Sequence, residues 1–234
     1  MMTINEIKSL CKNEKFDEAL DALDVLLAHD EFQLDALELR AQLNRKVKKL
    51  PESLHDLDKL INLLPSNAEL YAERGVTYFH LKQLGLALQD MNTATELEPE
   101  NPYRYSSRAY IKDASGDTEG AKQDYEKAIK LDPEDEIAYN NLGLLLEKTG
   151  NKNTATKNFE QSNKIIKEKY GISIGTDQVR PYSFPDLEES KPTKKDEFAT
   201  KNKLSWRQYL ATLKSIFTSK EDRKALFSFI LGKK

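Results

Sequence analysis

Between Met1 and Lys169 the apolar residues recur three or four positions apart, the spacing of a helix face, and the whole pattern repeats every 34 residues. Pro65, Pro99 and Pro133 stand at that interval, as do Ala87, Ala121 and Ala155, preceded in register by Ala19 and Ser53. Four residues after each of these comes a large apolar side chain: Leu23, Leu57, Met91, Tyr125 and Phe159. Three further on are Leu26, Leu60, Ala94, Ala128 and Ser162. A second series reads Ile7, Ala41, Gly75, Ala109 and Gly143, and four residues before most of these are Leu37, Tyr71, Tyr105 and Tyr139. The register marks five units without an insertion: 1–33, 34–67, 68–101, 102–135 and 136–169.

Each unit resolves into two helices. In the third, Leu70, Tyr71, Val76, Tyr78 and Phe79 form one helical face, and Ala87, Leu88, Met91, Ala94 and Leu97 form the next, with a break expected near Gln83–Gly85. Asn101-Pro102 reads as a helix start, a capping side chain followed by proline at the first helical position. Gly116-Asp117 and Gly150-Asn151 mark turns between the helices of the fourth and fifth units. No alternating β-branched run competes inside 1–169, so the class is all-α. A single pair leaves an apolar face exposed, and stability therefore requires stacking, as in a solenoid.

The pattern resembles the tetratricopeptide repeat, a helix–turn–helix unit of the same period. The third unit carries it best, with Tyr71-x2-Arg74-Gly75-x2-Tyr78, then Ala87-x3-Met91-x2-Ala94, then Pro99. The fourth and fifth match at Tyr105, Ala109, Ala121, Tyr125, Ala128, Pro133, Tyr139, Leu142, Gly143, Ala155 and Phe159. The second is looser, and the first is recognised mainly by register. The resemblance implies a right-handed superhelical solenoid of antiparallel helix pairs whose first helices line a concave groove. It also implies that outward positions on those helices contact a partner: Asp35, Glu38, Gln42, Glu69, Val76, Tyr103, Ser106, Tyr110, Asn140 and Leu144. That set is acidic toward the N-terminal end, then aromatic and polar, and suits a peptide bearing basic and apolar residues. The same positions also read as a solvated face, with Tyr103 and Tyr110 as packing between helices. The chaperone-binding members of the family clamp a terminal carboxylate with Lys, Asn and Arg. Here those positions hold Glu38, Glu73, Ser106 and Ser107, and only Asn140–Asn141 are compatible, which argues against acidic chaperone tails.

A charge pattern stands apart from the family label. Arg40, Arg74 and Arg108 are 34 residues apart, and so are Asp56, Asp90 and Asp124. Unit one has Glu6 and Ala22 at these positions and unit five has Leu142 and Asn158, so both partners are present or both are lacking. The expectation is a structural ion pair between the two helices of one unit: Arg40–Asp56, Arg74–Asp90 and Arg108–Asp124. Pairing between neighbouring units fits less well, because Asp124 would then meet Leu142.

After the repeats the composition changes. Residues 170–202 carry Pro181, Pro185 and Pro192 with no sustained helical period and read as a linker. From 203 a new pattern places Trp206, Leu210, Leu213 and Phe217 on one apolar stripe, in a basic amphipathic segment to 234. Residues 201–234 hold nine Lys or Arg against two acids, whereas 1–169 hold 23 against 31. Three readings of this segment stand side by side: a cap on the last repeat, a regulatory tail in the acidic groove, or an anchor on an anionic membrane or another protein.

The remaining composition excludes more than it adds. The lone cysteine, Cys11, forbids an internal disulfide or a cysteine metal cage, and His29, His55 and His80 fall in different registers. No nucleotide-binding glycine loop, zinc spacing or hydrolase elbow is present, so no cofactor, metal or catalysis is expected. The acidic bulk of the chain argues against nucleic acid. Lack of an export signal makes the cytoplasm the default compartment. The sequence therefore reads as a non-catalytic scaffold or adaptor that binds protein or peptide. A peripheral membrane-associated adaptor anchored by the C-terminal helices is the alternative, and exposed repeat ends leave self-association open.

Overall fold

The computed structural model describes residues 2–171, and every regular element among them is an α-helix. One helix pair falls in each 34-residue unit: α1 (Ile4–Lys12) with α2 (Phe16–His29), α3 (Leu34–Lys46) with α4 (Leu50–Leu63), and α5 (Ala68–His80) with α6 (Leu84–Leu97). Then come α7 (Pro102–Ala114) with α8 (Thr118–Leu131), and α9 (Glu136–Lys148) with α10 (Lys152–Tyr170). The linker beyond Gly171 and the basic segment with Trp206, Leu210, Leu213 and Phe217 lie outside the described residues.

The described residues form two compact units that divide within α8, the first ending at Asp124 and the second beginning at Tyr125. In the first, successive helices pack on one another in chain order from α1 to α7; in the second, α9 packs on α10. Ile7, Leu23, Leu37, Leu43, Leu60, Met91 and Ile111 are fully buried in the first unit. Burying each such side chain stabilises by about 1.5–3 kcal/mol before entropy is counted. The small residues of the second series set how closely paired helices approach. A Cβ on Gly75 would sit 3.2 Å from both the Ala87 carbonyl oxygen and the Met91 methyl. In the second unit, a Cβ on Gly143 would fall 2.5 Å from the Phe159 ring, so the ring fills the place of a side chain.

Side-chain caps mark the starts of α1, α5, α7 and α9, whereas α3 has none. Thr3 and Glu6 form a reciprocal capping box on α1. Asn67 and Asn101 accept from the backbone N–H groups of Glu69 and Tyr103, each at 3.0 Å, and Pro102 opens α7. Asp135 accepts from the N–H groups of Ile137 and Ala138 at 3.0 and 2.9 Å and opens α9.

The turn inside each pair holds one residue at positive φ, again every 34 positions: Glu14 (60°), Lys48 (64°), Lys82 (61°), Gly116 (90°) and Gly150 (83°). This corrects the break expected near Gln83–Gly85. The reversal is centred on Lys82, and Gly85 lies inside the first turn of α6. Glycine takes the left-handed conformation freely, whereas a side chain there costs about 1–2 kcal/mol against its neighbouring carbonyl. Lys82→Gly should therefore raise stability by about 0.5 kcal/mol, part of the relief being offset by the freer unfolded chain, and Gly116→Ala should lower it by about 1 kcal/mol. Urea midpoints at constant slope measure both.

Burial, with the charges of Glu136 and Asp132, pushes the Asp135 carboxyl up to about 6 against the pull of its two backbone N–H bonds. The folded chain thus holds this proton more tightly than the unfolded one, and the contribution to stability is full below about pH 4 and lost as pH rises through about 6. Asp135→Asn keeps the capping oxygen and removes the charge. It should be more stable than the parent at pH 7.5 and equal to it near pH 4, by thermal melts across that range.

Candidate protein-binding face

The three periodic arginines each bridge three helices of the first unit. Arg74 on α5 donates from Nε and Nη2 to the two carboxylate oxygens of Asp90 on α6, both at 2.8 Å. Its Nη1 reaches back to Asp58 on α4 at 2.7 Å. Arg40 on α3 grips Asp56 at 2.8 and 2.7 Å and reaches Asp24 on α2 at 2.6 Å. Arg108 on α7 holds Asp124 at 2.7 Å through both nitrogens and reaches Asn92 on α6 at 3.0 Å. Asp124 also receives Lys112 at 2.8 Å. The forked guanidinium suits this geometry, two parallel bonds to one carboxylate and a free edge for another acceptor. The hydrogen bonds to Asp56, Asp90 and Asp124 raise the three arginine pKa values further, so their charge is fixed.

The bond to the preceding unit is a feature that the sequence reading discounts. Asp24, Asp58 and Asn92 are themselves 34 residues apart and lie 16 before each arginine, so the signal was in the register. Tyrosine rings of the same unit flank the cations: Tyr71 and Tyr78 stand 5.7 and 5.9 Å from Arg74, and Tyr105 stands 5.6 Å from Arg108. Tyr71 and Tyr105 in turn donate to the carbonyls of Pro65 and Pro99.

The residues expected to face a partner recur at i, i+3 and i+7 on α3, α5 and α7, one stripe per helix. Contacts in the first unit bring these stripes together. Arg45 on α3 pairs with Glu73 on α5 at 2.5 Å and donates to the Glu73 carbonyl at 3.1 Å. Arg104 on α7 holds Glu69 at 2.9 Å and Glu98 at 2.7 Å. Tyr110 on α7 meets Phe79 on α5 edge-on at 5.5 Å. Arg45 and Arg104 are almost wholly buried. Neither belongs to a periodic series, and Arg104 occupies a register position filled by Ala36, Leu70 and Ala138 elsewhere, so sequence patterning gave no sign of them.

Among the predicted contact residues, Asp35 is exposed, and Glu38, Gln42, Glu69, Tyr103 and Tyr110 are half-buried. Gln42 donates to Glu38 at 3.2 Å. Burial, then the charge of Glu69, raises the Tyr103 phenol, which stays neutral. Val76 and Ser106 are buried and offer a partner little surface. In the second unit, on α9, Leu144 is half-buried and Asn140 buried, its amide donating to Asn141 at 3.4 Å. Among the described residues no group of three or more His, Cys, Asp or Glu is placed to hold a metal ion, and no helix is long and apolar enough to cross a membrane.

Residues 68–101 and 137–169 match the family model described as tetratricopeptide repeat, and residues 114–150 match one described as TPR repeat. No curated protein is significantly similar in sequence. Among solved structures, a crystal structure of MamA is similar with a TM-score of 0.64 at 23% identity, covering 74% of this chain and 99% of that one. MamA from Desulfovibrio magneticus RS-1 (residues 41 to the end) gives 0.63 at 20% identity, covering 70% and 93%. YrrB, described as a TPR protein with an unusual peptide-binding site, gives 0.55 at 20% identity, covering 69% and 84%. At these identities the likeness shows the fold, an all-α solenoid of tetratricopeptide repeats.

The arginine bridges make a quantitative prediction. Asp90 is nearly buried and Asp58 is half exposed. A double-mutant cycle on Arg74 and Asp90 should give a coupling of about 2–3 kcal/mol, and one on Arg74 and Asp58 less than about 1 kcal/mol. Urea unfolding of the single and double alanine variants provides both values.

Proposed function

We propose that this tetratricopeptide-repeat protein is a non-catalytic interaction scaffold that holds a basic and apolar peptide segment of a partner on the stripe face of α3, α5 and α7. The observation that carries this reading is how charge is distributed there. The buried cations of that face are committed to acids of the same chain, Arg45 to Glu73 and Arg104 to Glu69 and Glu98. What faces outward is carboxylate, amide and phenol: Asp35, Glu38, Gln42 and Tyr110. The Ser106 hydroxyl on the same stripe is buried with no hydrogen-bond partner among the described residues, a group that a bound peptide can satisfy once the face opens slightly.

Net charge supports the same polarity. Residues 1–124 hold 15 Lys or Arg against 23 acids, whereas 125–169 hold eight of each. The first unit therefore carries the acidity of the repeats, and basic segments are drawn to it over a Debye length of about 8 Å. Asn140 and Leu144 on α9 belong to the second unit, which in this reading presents its own polar and apolar positions.

The test is affinity capture from the native cell with the full chain, comparing Glu38→Lys and Tyr110→Ala with the parent. Loss of the same partners in both variants, with native helical content retained by circular dichroism, is the expected result. Retention of all partners by both would place the interaction elsewhere on the molecule.

A further inference from the structure

The first unit has two edges, each made by one set of turns, and they differ in chemistry. The turns that lead from one pair to the next fall at 29–35, 63–69 and 97–103. Arg104 fixes two of them side by side, since it bonds Glu69 in one and Glu98 in the other. Lys59 on α4 reaches Glu31 in the remaining one at 3.6 Å. Along this edge Phe32 is 56% exposed and Leu34, Leu63, Leu64 and Leu97 are 38–41% exposed. Those five are the majority of the eight large apolar side chains left exposed among the described residues; the turns of the opposite edge hold none of them, Leu86 lying just past one on α6.

Charge reinforces the difference. The same three stretches contain six acids and no lysine or arginine. The turns of the opposite edge, at 11–17, 45–51, 79–85 and 113–119, contain seven Lys or Arg against five acids. Three of the acids on the apolar edge are compensated internally, Glu31 by Lys59 and both Glu69 and Glu98 by Arg104. Asp30, Asp35 and Glu100 form no ion pair among the described residues. A patch of exposed leucine and phenylalanine rimmed by uncompensated charge of one sign marks an interaction surface rather than a solvated one.

We infer that the edge formed by the turns at 29–35, 63–69 and 97–103 docks an amphipathic helix of a partner protein, one that flanks an apolar stripe with Lys or Arg. Its leucines cover Phe32, Leu63, Leu64 and Leu97, and its cations meet Asp30, Asp35 and Glu100. This surface adjoins the stripe face of α3, α5 and α7 and shares Asp35 with it, but none of its exposed apolar side chains belongs to that stripe. The inference does not require the groove reading to hold.

The probe is a synthetic peptide with leucines at helical spacing and lysines on both flanks, titrated into the full-length chain by fluorescence anisotropy at physiological salt. Phe32→Ser with Leu64→Ser should weaken binding about tenfold or more. Asp30→Asn with Glu100→Gln should weaken it and flatten its salt dependence, whereas Leu86→Ser, an exposed apolar position on α6 outside this edge, should leave it unchanged. Asp17→Asn with Asp21→Asn, on the exposed side of α2, removes the same charge elsewhere and should also leave it unchanged. The assignment is overturned if the parent does not bind the peptide, or if a peptide with serine in place of leucine binds equally well. Equal loss in the α2 control overturns it too, as would a dimer of the parent that the Phe32→Ser, Leu64→Ser change dissolves.

Discussion

A pair of helices 13 and 14 residues long has two apolar sides and can cover only one of them with its own partner helix. Everything else in the first unit follows from covering the second side on the next pair, at a fixed offset. Apolar packing supplies the energy but is tolerant of sliding, because one buried leucine resembles another. The arginines remove that tolerance. A guanidinium that must satisfy Asp90 through two bonds and Asp58 through a third can do so in one arrangement of α4, α5 and α6. Removing Asp90 strands a partly buried cation, so the bridges enforce geometry more than they add net stability.

The same logic separates what the sequence reveals from what it hides. Repetition makes the helix pairs, the small residues of the close approach and the bond between Arg74 and Asp90 readable, since each occurs several times in one register. The reach of Arg74 to Asp58 is equally periodic, but helical spacing alone does not say that a guanidinium has a further donor available across the next interface. The turn centred on Lys82 is masked for another reason. Gly116 and Gly150 announce the left-handed position, yet Glu14, Lys48 and Lys82 fill it with residue types that disfavour it, and the nearby Gly85 draws the expected turn two residues too late. Arg45 with Glu73, and Arg104 with Glu69, occur once each. Only the folded neighbourhood brings their members together across 28 and 35 positions of chain.

These single pairs also shape the outward surface of α3, α5 and α7. A face lined by Glu69, Glu73, Glu38 and Asp35 reads from sequence as strongly acidic. In the structure Arg45 and Arg104 neutralise Glu73 and Glu69 from within, so the exposed character is set by fewer carboxylates together with phenols and an amide. The electrostatic potential of such a face is weaker than that of a bare acidic patch.

The two kinds of arginine have opposite consequences for how such a chain can change length. Periodic bridges make the modules interchangeable: excising residues 34–67 would bring Arg74 to Asp24, an acceptor equivalent to the Asp58 it lost. The unique pairs forbid that shuffling, because the same excision would delete Arg45 and leave Glu73 buried opposite nothing. A molecule assembled by copying one part thus acquires a fixed reading order, written in the few side chains that were not copied.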